Sequence, residues 1–301
     1  MRISCLDYLV CPQSREKLRL ESKVQTGNRI DSAQLYAEKS GGIYEIKNGI
    51  AVAMYPEELA ASDDEFKKKY DLHADFYDEG IRWLFNSFFE NESKIRTQLV
   101  DFLDLQGNEF VLNMGGGTCS DSFFLAERLS NGGRLVNFDL SRPMLEVGEK
   151  RLAEIEAKYP EMMEYVVGNA SYLPFADHTF DAIFHFGGIN TFSEKQKAFD
   201  EMARVVKPGG KIVVGDESAS PWLRDREFGK IIRNANPLYN HTPPLEMLPQ
   251  AAENVSLHYL LGNSFYVIVY TVNQGPKLNM DLPIPGKRGG TLRSRYEGRP
   301  R

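Results

Sequence analysis

The feature that most constrains this chain is an alternation of short apolar runs with amphipathic ones between about residues 66 and 272. EFVLNM, RLVNFDL, EYVVGN, FDAIFHFG and KIVVGDE are near-continuous apolar segments of strand length. Between them lie SDSFFLAERLS, PMLEVGEKRLAEIEAKY and EKQKAFDEMARVV; in the second of these Met144, Leu145, Leu152 and Ile155 fall near helical spacing, with Glu and Lys in between. Strands that are apolar on both sides need cover on both faces, and strands separated by helices run parallel. The pattern therefore predicts an α/β, Rossmann-like, mainly parallel sheet. VSLHYLLG and SFYVIVYTV, joined by a short Gly-Asn turn, add a closing antiparallel hairpin and bring the count to seven strands.

The flanks read differently. Residues 1 to about 55 hold short β-like runs (LRLES, AQLYAE, GIYEIKNGIAVAM) broken at Gly27-Asn28, Gly41-Gly42 and Asn48-Gly49, which predicts a small N-terminal β-rich module. PEELAASDDEFKKK is a polar linker entering a helix, so the α/β domain is placed over 56–272. Residues 273–301, rich in Gly, Pro and Arg, read as an extended, solvated tail, with a strap or an oligomer contact as the alternative. A chain of 301 residues accommodates one such domain and an accessory module. Its net charge of −6 argues against a nucleic-acid surface as partner. Three cysteines (Cys5, Cys11, Cys119) make no disulfide framework, no apolar run reaches the roughly 20 residues of a membrane span, and MRISCLDYLVCPQS lacks a signal-peptide core. A cytoplasmic protein acting on a small molecule is expected, with a homodimer left open.

Chemistry concentrates where VLNM runs into Gly115-Gly116-Gly117-Thr118-Cys119 and then a helix. Glycines let backbone approach a ligand without a Cβ in the way, and N–H groups at the helix start face it. Alone the loop is ambiguous, since dinucleotide sites use a similar turn; the dehydrogenase pattern, however, wants a third glycine where this chain has Ser120. Asp139 closes the next strand, 22 residues beyond Gly117, where a carboxylate can take both hydroxyls of a ribose. Gly168-Asn169-Ala170 follows the third strand, and Lys207-Pro208-Gly209-Gly210 precedes the fifth.

With VLNMGGGTC, FDLSRPMLEVGEKR, GNASYLPFADHTFDAIF and EMARVVKPGGKIVV in this order and spacing, the chain resembles the class I methyltransferases, especially the subfamily that includes ubiquinone and menaquinone C-methyltransferases. The resemblance covers about residues 65–272. It implies S-adenosylmethionine as cofactor, with its methionine part against Asn113, Gly115 and Gly117. Asp139 would hold the ribose, Leu140 and Met144 would lie beside the adenine, and Asn169 and Ala170 at its edge. His185 to Gly188 would face the sulfonium, and YDLHADFYDEG would lid the pocket through Tyr70 and Tyr77. The family usually has Asp or Glu at position 113 and Asp at 169, whereas this chain has Asn at both, which keeps an acceptor oxygen and removes a charge.

LVCPQSREKLRL and SGGIYEIKNGIAVAM also resemble a small zinc-ribbon domain found alone as a methyltransferase activator and fused to some methyltransferases. Its four ligand positions fall here on Cys11, Ser14, Ala37 and Ser40, and one thiolate cannot make a structural zinc site, so no zinc is expected. Leu9, Leu18, Leu20, Ile43, Ile46 and Ile50 would then have to hold the module by packing.

For the acceptor, the region beyond the fourth and fifth strands offers Asn190, Asp216, Glu217, Trp222, Arg224, Tyr239 and His241. Asn190, Asp216, Trp222 and Tyr239 are the candidate substrate contacts. His241, in the Pro-rich PLYNHTPPLE, is the candidate base, with His185 second. The loop FGGIN is not the Asn-Pro-Pro-Tyr type associated with amino groups of DNA bases or glutamine. Methyl transfer to an O, C or N nucleophile of a small molecule is the leading expectation. A non-catalytic cofactor-binding scaffold is the alternative, and an NAD-dependent oxidoreductase a distant third.

Overall fold

The computed structural model describes residues 1–275, 278–285 and 289–298. Four strands come first: β1 (Arg19–Thr26), β2 (Arg29–Tyr36), β3 (Ile43–Lys47) and β4 (Ile50–Val52). Helices α1 (Ala61–His73), α2 (Tyr77–Ser87) and α3 (Glu92–Asp101) follow. The alternating part runs β5 (Phe110–Met114), α4 (Ser120–Arg128), β6 (Arg134–Asp139), α5 (Arg142–Lys158), β7 (Met163–Val167), β8 (Phe180–Phe186), α6 (Lys195–Val205), β9 (Val206–Glu217) and α7 (Glu227–Ala235). It closes with β10 (Ala252–Leu260) and β11 (Phe265–Val272), and a short α8 (Leu292–Tyr296) lies in the tail. Residues 276–277, 286–288 and 299–301 of the expected extended tail lie outside the described residues.

The sheet has eleven strands rather than seven, in the order β1-β2-β3-β4-β7-β6-β5-β8-β9-β11-β10. The seven expected strands are the last seven in that order. The other four continue the sheet beyond β7, because β4 pairs with it in parallel, Ala51 opposite Val166 and Val52 opposite Val167. An uncovered β7 would present a row of unpaired N–H and C=O groups, and β4 satisfies them. The predicted N-terminal β-rich stretch is thus joined to the main sheet edge to edge. Its turns fall where Gly27-Asn28 and Asn48-Gly49 place them, between Thr26 and Arg29 and between Lys47 and Ile50.

Alternate residues of the central strands enter two separate cores. Phe110, Leu112, Met114, Val136, Phe138, Ile183 and Ile212 face α6, whose Phe199 and Met202 are fully buried. Val111, Leu135, Tyr165, Phe184 and Val213 face the other way, where Leu99, Leu125 and Leu145 of α3, α4 and α5 cover them. The N-terminal residues Met1, Tyr8, Leu9, Ile30, Leu35 and Ile46 belong to the α6-side core, so one apolar mass spans both regions. A buried ion pair, Arg2 Nε to Glu164 Oε1 at 2.6 Å, fastens the start of the chain to β7. Of the six apolar residues expected to hold this region, Leu9, Leu18, Ile46 and Ile50 are buried and Leu20 packs at the edge. Ile43 instead is 67% exposed, since it lies on the outward face of β3 beside the buried Tyr44.

The chain moves outward from β5 to β6 and β7, then returns to β8 on the other side of β5. That reversal opens a crevice beyond the carboxyl ends of β5 and β8. Between α2 and α3 the chain breaks at Phe89, whose φ is +55°.

Candidate functional site

The crevice holds a cavity with about 1000 Å³ of empty volume. Its floor is the Gly-rich turn. Gly115 and Gly117 have φ of +68° and +53°, and Gly116 N–H donates to the Phe138 carbonyl. A Cβ at Gly115 would stand 3.0 Å from the His185 ring, and one at Gly117 3.3 Å from the Met144 methyl, so only glycine leaves the space beside them open. Cys119 occupies a left-handed position (φ +58°) at the start of α4.

Asp139, at the end of β6, locks this turn. Its Oδ2 accepts the Gly117 N–H at 2.8 Å and its Oδ1 the Ser141 N–H at 2.8 Å. Burial pushes its carboxyl up to about 6, against the pull of those backbone donors. Leu140, Met144, Asn169 and Ala170 line the same wall. The Asn169 Oδ1 caps the turn after β7 by accepting the Ser171 N–H at 2.9 Å. Asn113 is different. Its side chain is buried beneath Gly116 and donates to Ser122 Oγ at 2.8 Å, and Ser122 donates onward to Asn137. It supports the loop from below and is not part of the cavity wall.

At the end of β8, His185 is fully buried and lines the cavity. Its Nδ1 lies 2.7 Å from the Met114 carbonyl, which can only accept, so Nδ1 carries the hydrogen. Nε2 is therefore a bare lone pair, buried and without a hydrogen-bond partner. Burial lowers the affinity of this ring for a second proton and keeps it neutral.

A cover formed by α1 and α2 closes the top. No residue of α1 is buried, so apolar packing does not hold it. Three carboxylates do. Asp63 accepts the Ser193 N–H at 3.0 Å, and Asp71 accepts the Ser141 hydroxyl at 2.6 Å. Asp78 accepts the Thr118 hydroxyl at 2.7 Å and pairs with Arg151 of α5. Tyr70 and Tyr77 meet edge to face at 6.0 Å and line the cavity. Nothing in the spacing of these acids announced them as latches, because their partners lie 70, 40 and 130 residues away.

The far wall comprises Gly187, Gly188, Thr191, Phe192, Glu217 and Leu238. Asp216, fully buried, does not face it. Asp216 accepts the N–H groups of Gly188 (3.1 Å), Asn190 (2.6 Å) and Glu217 (2.8 Å), and so shapes the loop after β8. Asn190 is tied to β9 through its Nδ2 to the Glu217 carbonyl at 2.7 Å. Tyr239 is buried against Phe88 and Phe265, and Trp222 is exposed against Tyr259; neither lines the cavity. His241 also stands outside the lining residues, its carbonyl accepting from Ser218 and Arg224. Thus Tyr70, Tyr77, Gly115, Gly117, Asp139, Leu140, Met144, Asn169, Ala170 and His185 converge, together with Gly187, Gly188 and Glu217, while Asn113, Asn190, Asp216, Trp222, Tyr239 and His241 do not line the wall.

Away from the cavity, the four zinc-ribbon positions are partly drawn together. Cys11 Sγ lies 3.3 Å from Ser40 Oγ and 3.1 Å from the Tyr44 hydroxyl, and accepts from Ser14 N–H. Burial raises this thiol's pKa, yet the hydrogen bonds from Ser14, Ser40 and Tyr44 outweigh it and hold the thiol below its ordinary value. A Cβ at Gly42 would stand 2.7 Å from the Tyr44 hydroxyl, so that glycine makes room for the tyrosine. Among the described residues no group of three or more His, Cys, Asp or Glu is arranged to hold a metal, and no helix is long and apolar enough to cross a membrane.

The model of the ubiE/COQ5 methyltransferase family matches residues 64–224, more than half of the chain. The chain belongs to that family. The family match contains the Gly-rich turn, Asp139, Asn169, His185 and the Asp216-Glu217 pair, while β1–β4 and the β10–β11 hairpin lie outside it. Among curated relatives, it is 34% identical over 165 residues to the demethylmenaquinone methyltransferase of Renibacterium salmoninarum, covering 54% of this chain and 60% of that protein. It is 35% identical over 153 residues to the ubiquinone/menaquinone biosynthesis C-methyltransferase UbiE of a Ruegeria species, covering 51% and 56%. The chain therefore spans somewhat under two thirds of the curated relatives it matches. Two solved structures share the fold. One is the phosphoethanolamine N-methyltransferase 2 of Haemonchus contortus (TM-score 0.54, 12% identity, 84% of this chain and 71% of that one). The other is the [4+2]-cyclase SpnF (TM-score 0.51, 15% identity, 72% and 98%).

Proposed function

We propose that this protein transfers a methyl group from S-adenosylmethionine to a small-molecule acceptor. The observation that carries the reading is the Asp139 carboxylate. It is anchored to the Gly117 and Ser141 N–H groups yet lines the cavity together with Gly115 and Gly117, which carry no side chain, and with His185 beside Gly115. Such a carboxylate suits a ribose, and the glycines suit a ligand pressed against backbone. The bound cofactor supplies an activated methyl group on a sulfonium. Gly115 and Gly117 would receive its methionine part, with Asn113 bracing the turn from below. Leu140, Met144, Asn169 and Ala170 would frame its base, and Tyr70 and Tyr77 would exclude water from above.

Transfer is an in-line displacement, in which positioning carries much of the rate. An acceptor with a proton to lose needs a nearby base, and His185 Nε2 is neutral and free to serve. His241 remains a weaker candidate, since movement of its loop would be needed to reach the cavity. Asn190 and Asp216 would act on the acceptor through the loop they shape, and Trp222 and Tyr239 from outside the wall. The printed names of the relatives make a quinol-type carbon acceptor one option. We also keep the division into residues 1–55, 56–272 and 273–301, a cytoplasmic location, no nucleic-acid partner and an optional homodimer as parts of the proposal.

Isothermal titration with S-adenosylmethionine, S-adenosylhomocysteine and NAD tests the reading. Both sulfur compounds are expected to bind and NAD is not; heat with NAD alone would sink it. The scaffold alternative is favoured if both bind yet no methylated product forms with any acceptor in a metabolite extract.

A further inference from the structure

The charged residues lining the cavity are all of one sign: Asp63, Asp139 and Glu217, with no lysine or arginine among them. Asp63 is engaged by Ser193 and Asp139 by Gly117 and Ser141. Among the described residues Glu217 has no such anchor; its carboxyl bonds its own backbone and the adjacent Asp216. In the parallel β8–β9 register Phe186 stands opposite Gly215, so Glu217, two residues on, is level with Gly188 at the cavity wall.

We propose that Glu217 is a charge selector, the counter-ion of a cation seated beside Gly187 and Gly188. Resting on the methyl-transfer reading, that cation is the sulfonium of the methyl donor, which is thereby held in preference to its uncharged thioether product.

The surroundings favour this role over a structural one. From its own strand Glu217 faces Asp216, whose oxygens are taken by the N–H groups of Gly188, Asn190 and Glu217. Burial and the adjacent Asp216 charge push the Glu217 carboxyl well above the ordinary carboxylate range, which favours its protonated form until a cation arrives. From the other elements come the carboxyls of Asp63 and Asp139 and the phenols of Tyr70 of α1, Tyr77 of α2, Tyr239 beyond α7 and Tyr266 of β11, none of which supplies a positive charge. His185 of β8 is neutral. Lys195 of α6 and His241 feel Asp216 but stand outside the cavity lining. A guest cation is thus the missing partner. When it binds, the Glu217 O–H bond ionises and its proton passes to solvent. When the methyl group leaves, the acceptor loses a proton, the sulfur becomes neutral and Glu217 takes a proton back, which loosens the product's hold.

The test counts protons. Titration calorimetry of the full chain at pH 7, in buffers of different ionisation enthalpy, gives the protons exchanged on binding S-adenosylmethionine and S-adenosylhomocysteine. Contributions from Asp139 and from the methionine end are common to both and cancel. The sulfonium compound is expected to release measurably more protons than the thioether. Glu217→Gln should abolish that difference and narrow the preference for the sulfonium compound by about tenfold, while S-adenosylhomocysteine binds within about twofold of wild type. Retained thioether binding also shows that the variant is folded. Equal proton release in the wild type overturns the proposal whatever the variant does, as does a difference that survives in Glu217→Gln. Failure of both sulfur compounds to bind overturns the methyl-donor reading, and this inference with it.

Discussion

Cys119 and Gly148 form a pair whose coupling can be worked out from the geometry. Cys119 begins α4 in the left-handed region, where a side chain costs roughly 1–2 kcal/mol. Its thiol is fully buried over Gly148, in the interior of α5. A Cβ at Gly148 would fall well inside contact distance of the Cys119 Sγ and 2.8 Å from its Cβ, with the Thr118 carbonyl carbon next at 3.2 Å. In an open helix, Gly→Ala would gain about 1 kcal/mol of propensity. Here overpacking should cost about 1–3 kcal/mol and reverse the sign, so Gly148→Ala is expected to destabilise. Cys119→Gly relieves the backbone strain but gives up a buried sulfur and adds chain entropy, leaving a net effect within about 1 kcal/mol of zero. In the double variant both Cys119 contacts vanish and only the mild Thr118 approach remains. Gly148→Ala should then be neutral or stabilising, a coupling of about 1–3 kcal/mol. Thermal melts of the four proteins in one buffer measure it, at roughly 2–4 °C per kcal/mol. Additivity of the two substitutions to within about 0.5 kcal/mol would refute the claim that these side chains compete for one space.

Two further outcomes concern the cavity. The Asp139 carboxyl, raised to about 6, must be ionised to accept from two hydroxyls, so S-adenosylhomocysteine affinity should fall as pH drops through 6. For the ligand-free protein the sign is opposite: a carboxyl raised above its unfolded value contributes stability below that value and loses it as pH rises through about 6. Asp139→Asn keeps one acceptor oxygen for the two backbone N–H groups that the carboxylate holds, so it is expected to bind weakly and without that pH dependence; a pH-dependent affinity that survives in the variant would contradict the burial argument. The start of α2, latched by Asp78, should respond to Asp78→Asn by faster hydrogen exchange over its first turn, ahead of the buried Phe85, and by weaker thioether binding, with α3 unaffected. Unchanged exchange would mean that the Thr118 and Arg151 contacts do not hold the cover.

Much of the cavity was legible because its parts are local in sequence. A strand, a glycine turn and a helix start are consecutive residues, and Gly115, Gly117, Asp139, Asn169 and His185 each end a strand of one parallel sheet, whose carboxyl ends must share an edge. The acceptor side was less legible. Asp216 and Glu217 are neighbours of like charge, and only the register of β9 against β8 and the N–H donors around Asp216 separate the residue that shapes a loop from the one that faces the cavity. His241 and Trp222 drew attention by residue type, but the segment that carries them turns them away from the wall.

Local chemistry thus determined the α/β alternation, the tight turns at Gly27-Asn28 and Asn48-Gly49, and the glycines that leave room beside His185 and Met144. Those follow from short-range rules of periodicity and steric freedom, which act between residues close in the chain. The tertiary structure alone decided three things: the joining of β4 to β7, the latching of the cover by Asp63, Asp71 and Asp78, and the upward shift of the Glu217 carboxyl beside Asp216. Each depends on partners that the fold brings together from distant positions or on how deeply a carboxyl is removed from water, and neither quantity is written in a linear order of residues.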